Sequence, residues 1–103
     1  MNLIQLLKSI EKRPGMYLGQ RDLGLLQSYI NGFYMCEIQN KIVDKNDERF
    51  QDEFYHWLKK KYELEACNSW KELIKQLSEK NGKDELDLFF SVFNEFKREK
   101  LDD

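Results

Sequence analysis

Few side chains in this 103-residue chain belong to the types that bind metals or act as nucleophiles. His56 is the only histidine, and Cys36 and Cys67 lie far apart without a C-x-x-C pair. One histidine cannot supply the common zinc sites, no local signature couples either thiol to His56, and no serine lies in a G-x-S-x-G turn. We therefore predict no catalytic residue, no metal site and no cofactor. His56 is assigned to a helix surface, and both cysteines are assigned to the core as small hydrophobes.

Carboxylates are concentrated between residues 44 and 53. Five acids stand there against two bases, Lys45 and Arg49, which gives a local charge of −3. Part of this charge suits the start of a helix, but a concentrated acidic surface is also what a basic partner would recognise. The candidate partner-binding residues are Asp44, Asp47, Glu48, Asp52 and Glu53.

Composition and charge argue against several functional classes. The chain has 17 basic and 19 acidic side chains, a net charge of −2, and lacks the basic footprint of a nucleic-acid binder. No apolar run reaches the roughly 20 residues that span a bilayer, and the charged start, with Lys8, Glu11 and Lys12, is unlike a signal peptide. We expect a cytoplasmic protein with reduced thiols that binds neither nucleic acid nor membrane.

Start and stop signals divide the chain into about five helical segments. Between these signals the apolar residues recur at helical spacing, and no strand-like alternation is present. A polar break is predicted at Asp44–Asp47, followed by a helix from about Glu48 to Tyr62. The helix starts are marked by Asn2, Asp22, Ser69 and Asp84, and the stops by Pro14 and Asn81-Gly82.

Apolar stripes predict how these segments pack. The stripe of the last segment, from Leu86 to Phe96, is nearly continuous, so this helix is predicted to be the central element. Trp57 is assigned to the core stripe of the third segment, and Lys59–Lys61 to the end where cations complement the helix dipole. We predict an all-α, single-domain bundle of about five helices over residues 1–103, monomeric or weakly dimeric alone.

The octapeptide Lys12–Gly19, with the sequence KRPGMYLG, interrupts the first two segments. We interpret it as a stop and turn that packs Met16 and Tyr17 into the core. An internal hydrogen bond from Arg13 to a carboxylate, and contact with a partner through Arg13 or Tyr17, are the alternatives.

The same segment resembles R-P-G-M-Y-I-G of the type II topoisomerase ATPase domain. The catalytic Glu, the metal-binding Asn, the D-x-G-x-G motif and the glycine-rich lid of that domain are missing here, so we reject an ATPase.

A second resemblance covers nearly the whole chain. It rests on R-P-G-M-Y-L-G, on Gly32-Phe33, on the F-x-x-W-L segment that begins at Phe54, on Trp70, and on L-D-L-F-F-x-x-x-x-E-F from Leu86 to Phe96. In this order the motifs resemble small helical immunity proteins that bacteria encode beside polymorphic toxins, including those of contact-dependent growth inhibition systems.

This resemblance implies a cytoplasmic, non-catalytic protein that binds the toxin domain of a sibling cell and blocks its active site. Nuclease toxins are common in such systems and are often basic, which would suit the acidic cluster. The alternative function is a non-catalytic helical adaptor or regulatory module, including one that self-associates. An enzyme with novel chemistry is the third hypothesis.

Overall fold

The computed structural model describes residues 1–101, and all regular secondary structure in that part of the chain is α-helical. The predicted all-α class is therefore confirmed. The described residues form six helices: α1 (Leu3–Lys12), α2 (Pro14–Leu18), α3 (Leu23–Gln39), α4 (Lys45–Lys61), α5 (Trp70–Asn81) and α6 (Glu85–Lys100). Residue contacts cluster in two units, which divide between Glu48 and Arg49. The single domain over 1–103 stays a prediction.

The first unit begins with the helix start that the sequence predicts. The side chain of Asn2 accepts the Gln5 N–H at 3.0 Å, and the Gln5 side chain accepts the Asn2 N–H at 3.0 Å. This reciprocal pair satisfies two of the free N–H groups that every helix start exposes. Asp22 performs the same function for α3 by accepting the Leu25 N–H at 2.9 Å.

The octapeptide forms a short helix, α2, in place of the predicted turn. Pro14 stops α1 and also occupies the first position of α2. A proline suits that position because its φ is already helical and the N–H that it lacks would be unpaired there. Gly19, at φ +80°, ends α2 and donates its N–H to the Gly15 carbonyl at 2.9 Å. This extra helix explains why the structure has one helix more than the sequence predicts.

The prediction that the octapeptide packs two side chains into the core is wrong for Met16, which is 71% exposed. Tyr17 is half-buried and meets Tyr29 of α3 edge-on, with ring centroids 6.5 Å apart. The core of this unit comes from α1 and α3 instead. Its buried apolar residues are Leu3, Leu6, Leu7, Ile10, Leu23, Leu26 and Ile30.

Helix α4 begins at Lys45, three residues before the predicted start. Asp44 Oδ1 accepts the N–H groups of Asn46 at 2.8 Å and Asp47 at 3.4 Å, so its side chain caps the first turn. The polar run is therefore the start of a helix and not a break. Its polarity arises because Lys45 and Glu48 face solvent.

The second unit has an aromatic core. Phe54 of α4 is completely buried, stacks on Phe50 at 4.7 Å and meets Trp70 of α5 edge-on at 5.9 Å. Phe96 of α6 lies 5.2 Å from the same ring. The apolar stripe of α6 is buried along its length, as expected for a central helix. It contributes Leu86, Leu88, Phe89, Phe90, Val92, Phe93 and Phe96.

The predicted helix ends at Asp84, Gly82 and Ser69 are confirmed, although the side chain of Ser69 bonds a different group from the one expected. Asp84 accepts the Asp87 N–H at 3.0 Å at the start of α6, and Gly82 ends α5 at φ +71°. Ser69 is the N-cap of α5, but its hydroxyl donates to the Glu72 carboxylate and does not bond the backbone. The hydrogen bond to Ser69 lowers the pKa of Glu72.

Candidate functional site

The five acids of the predicted partner site occupy different environments. Asp44 is the cap of α4, and Asp47 is buried with 1% of its surface exposed. Glu48 and Asp52 are exposed, and Glu53 is half-buried and pairs with Arg49 at 3.4 Å. Asp44 and Asp47 therefore hold helix starts, Glu53 is paired within α4, and Glu48 and Asp52 are the two fully exposed acids of the set.

Asp47 forms a buried acidic pair with Glu37 of α3, which is 5% exposed. Asp47 Oδ1 accepts the Leu3 N–H at 2.9 Å and so fixes the start of α1. Within the part of the chain that the structure describes, Glu37 Oε1 and Asp47 Oδ2 are buried without a hydrogen-bond donor. A proton held between the two carboxyl groups would supply the donor that both oxygens lack.

Burial is the main reason that the pKa of Asp47 rises from 3.8 to about 7. The side-chain hydrogen bond with Glu37 and the negative charges of Glu37 and Asp44 raise it further. The N–H of Leu3 opposes the shift because it stabilises the carboxylate. The pair is therefore a structural element whose charge depends on pH near neutrality.

A second group of residues lies on the surface between α4 and α6, wholly within the second unit. It encloses an open groove of about 670 Å³ beside the half-buried ring of Trp57, which we call the Trp57 groove. The residues that line it are Asp52, Glu53, His56, Trp57, Lys60, Lys61, Glu99 and Lys100. Two of the five predicted partner-binding residues, Asp52 and Glu53, are among them.

The Trp57 ring is held from two sides. Its inner side meets Phe54 and Phe96, with centroids 6.1 and 5.3 Å away. Its Nε1 donates to Glu99 Oε1 at 3.0 Å, and the Lys61 ammonium lies 5.1 Å from its centroid. These contacts fix one orientation of the indole before any partner arrives, which lowers the entropic cost of binding to it.

Charges around the ring are paired with one another. Lys61 hydrogen-bonds Glu99, which raises the pKa of Lys61, and it lies 3.3 Å from Glu95. The bonds from Lys61 and then Trp57 lower the pKa of Glu99. Burial, followed by the hydrogen bond to Glu95, raises the pKa of Tyr62 to about 12. Lys61 therefore has a specific structural contact besides the predicted interaction with the helix dipole.

The groove lining combines one histidine and side chains of both charge signs with the indole ring of Trp57. His56 is exposed and meets Tyr55 edge-on at 5.2 Å, as predicted for a helix-surface histidine. In residues 1–101 no group of three or more histidine, cysteine or acidic side chains could hold a metal ion. An aromatic centre with a rim of both charge signs is typical of protein interfaces.

The prediction that both cysteines belong to the core is wrong for Cys36. Its thiol is free and exposed on α3. Cys67 is half-buried, and its backbone N–H and carbonyl both bond the Tyr55 hydroxyl at 2.8 Å. Cys67 therefore lies in a hydrogen-bonded connector between α4 and α5.

The sequence did not predict the groove. Helical spacing assigned Trp57 to the core stripe, and its ring does meet Phe54, but the side chain is only half-buried. Spacing does not show that Glu99 and Lys61 meet its outer edge. Of the residues that line the groove, the acidic run in the sequence indicated only Asp52 and Glu53.

No helix in residues 1–101 combines the length and apolar character needed to cross a membrane.

Comparison with known proteins gives no match to any family model, curated protein or solved structure.

Proposed function

We propose that this chain is a non-catalytic immunity protein that binds and neutralises a bacterial toxin domain in the cytoplasm. The observation that supports protein binding most strongly is the Trp57 groove. A half-buried tryptophan, fixed on an aromatic core and surrounded by polar side chains, has the features of an interface hot spot. The resemblance to immunity proteins supplies the class of partner.

The exposed acids of α4 support a basic partner. Asp52 and Glu53 line the groove, and Glu48 is exposed one turn before Asp52. Carboxylates at this position would pair with lysine or arginine side chains that a nuclease uses to hold phosphates. Blocking those side chains would neutralise a nuclease without any chemistry by the immunity protein.

A helical adaptor is the second candidate function, and a different surface favours it. Helix α3 exposes four apolar side chains, Leu25, Tyr29, Met35 and Ile38. Exposed apolar groups of this kind mark protein contacts in general and carry no information about a toxin.

Co-expression tests the proposal. The immunity function predicts a C-terminal toxin domain in the neighbouring gene, and this domain is the probe, produced in cells with and without the chain. We expect the chain to restore growth and to co-purify with the toxin domain in a one-to-one complex. If neither rescue nor co-purification occurs, the immunity function is wrong.

A charge reversal tests the site. Asp52→Lys is expected to weaken the complex about tenfold at low salt, because it removes an attraction and adds a repulsion. Glu79→Lys on α5 is the matched control, since Glu79 is an exposed acid of the same unit outside the groove. Equal losses in the two variants would show a general charge effect and would contradict a site at the groove.

A further inference from the structure

The Glu37–Asp47 pair joins three helices of the first unit. Glu37 lies in the last turn of α3, and Asp47 lies in the first turn of α4. Through Oδ1, Asp47 also accepts the N–H of Leu3, the first residue of α1, at 2.9 Å. Leu3 and Asp47 are 44 positions apart in the sequence, so this hydrogen bond fixes the start of α1 against the start of α4.

Burial and hydrogen bonding give the pair room for one proton. Glu37 and Asp47 are 5% and 1% exposed, and among the described residues Glu37 Oε1 and Asp47 Oδ2 have no hydrogen-bond donor. A proton between the two carboxyl groups satisfies both oxygens. When that proton is lost, two negative charges lie side by side away from water, which is one of the most costly arrangements in a protein interior.

The charged groups that act most strongly on the Asp47 carboxyl do not compensate a second negative charge. They are Glu37 of α3 and Asp44, which precedes α4, and both are acids. Helix α1 contributes the uncharged N–H of Leu3, whose effect in favour of the carboxylate is smaller than the effect of burial. The ionised pair is therefore stable only where water reaches it.

We propose that the Glu37–Asp47 pair is a proton-controlled latch, which releases the start of α1 when its proton is lost. Leu3 bonds Asp47 directly and is itself 2% exposed, so the start of α1 moves when water reaches the Asp47 carboxylate. Helix α1 has 10 residues, which is too short for a helix to be stable without packing. Its release therefore unfolds the helix and exposes its apolar stripe, which consists of Leu3, Leu6, Leu7 and Ile10.

The latch is closed in mildly acidic solution and opens as the pH rises through neutrality. In the closed state burial raises the pKa of Asp47 from 3.8 to about 7, and in the open state water lets the pKa return towards its usual value. The closed state therefore binds the proton more tightly, and between pH 5.5 and pH 8 the ratio of open to closed chains is expected to rise about 30-fold. The latch is independent of the proposed function, because neither carboxyl group lines the Trp57 groove.

Hydrogen–deuterium exchange of the full chain at pH 5.5 and pH 8, read by mass spectrometry, tests the latch. After correction for intrinsic exchange rates, the amides of α1 are expected to lose about 30-fold of their protection between the two pH values. The amides of α6 from Leu86 to Phe96 are the internal reference. At pH 8 they are expected to be at least about tenfold better protected than the amides of α1, because α1 opens without the rest of the chain.

Two variants remove the shared proton and keep the contacts. In Asp47→Asn the amide oxygen still accepts the Leu3 N–H, and in Glu37→Gln the amide N–H₂ donates to Asp47. In each variant the protection of α1 is expected to change by less than about threefold between pH 5.5 and pH 8. Glu48→Gln is the matched control, since Glu48 is the exposed acid next to Asp47, and it should behave as wild type.

Three results would overturn the latch. The first is a wild-type chain whose α1 amides are equally protected at both pH values. The second is equal protection of α1 and α6 at pH 8, because the chain then opens as a whole. The third is a full pH dependence that persists in both Asp47→Asn and Glu37→Gln, because another group then controls the release.

Discussion

Individual residues show where polar composition is a poor guide to exposure. Asp47 is one of several acids in a polar run, and from the sequence it is indistinguishable from Glu48. In the structure Asp47 is 1% exposed and bonds the Leu3 N–H, whereas Glu48 faces solvent. The difference depends on a contact between residues 44 positions apart. Local sequence contains no signal for such a contact.

The acidic pair predicts a pH-dependent stability. The pKa of Asp47 in the folded chain, about 7, lies above its usual value of 3.8, so the folded state binds the proton more tightly. This contribution to the free energy of unfolding is complete below about pH 4 and is lost as the pH rises through about 7. Denaturant unfolding between pH 5 and pH 8 is expected to show a loss of about 2–3 kcal/mol.

Asp47→Asn should remove most of this pH dependence. The amide oxygen can still accept the Leu3 N–H, and the amide N–H₂ can donate to Glu37 without a titrating proton. The variant is expected to be more stable than wild type at pH 8 and similar at pH 5. Glu48→Gln is the control and should keep the wild-type profile. A wild-type stability that is constant from pH 5 to pH 8 would contradict the shared proton.

Among the secondary-structure elements, side-chain caps predicted most helix starts correctly. The two errors, the start of α4 and the missing helix α2, both lie in segments whose composition is typical of loops. Asn2, Asp22 and Asp84 make the side-chain bonds expected of them. The predicted start of α4 is three residues late because Asp44 and the residues after it also have the composition of a loop. The octapeptide pattern predicts a turn because Pro14 stops α1, although a proline also suits the first position of the next helix.

The two glycines of the octapeptide should respond differently to alanine. Gly19 has φ +80°, where a Cβ is strained, so Gly19→Ala is expected to lower the free energy of unfolding by about 1 kcal/mol. Gly15 lies inside α2, and a Cβ there meets nothing within 4 Å. Gly15→Ala should be neutral or stabilising by up to about 1 kcal/mol. Denaturant midpoints measure both changes, and equal effects would show that the backbone of Gly19 is not the constraint.

For the molecule as a whole, helical periodicity predicts the fold class but does not predict the binding surfaces. The apolar stripes correctly assigned Phe54 and the residues of α6 from Leu86 to Phe96 that face inward to the core. The Trp57 groove depends on where Glu99 and Lys61 meet the indole, and these residues are 38 positions apart. The exposure of Leu25, Tyr29, Met35 and Ile38 on α3 is known only from the structure, because the buried residues of the same helix have a similar composition.

Under the proposed function, Trp57 anchors the toxin domain. The most direct test is the dissociation constant of the toxin domain that the proposed function predicts in the neighbouring gene, titrated into wild type, Trp57→Ala and Trp57→Phe. Trp57→Ala is expected to weaken binding by about 100-fold, equivalent to roughly 2.7 kcal/mol. Trp57→Phe keeps an aromatic ring against Phe54 and Phe96 and should retain part of the affinity. Thermal unfolding and circular dichroism must show that both variants are folded at the temperature used. Wild-type affinity in a folded Trp57→Ala variant would contradict the account.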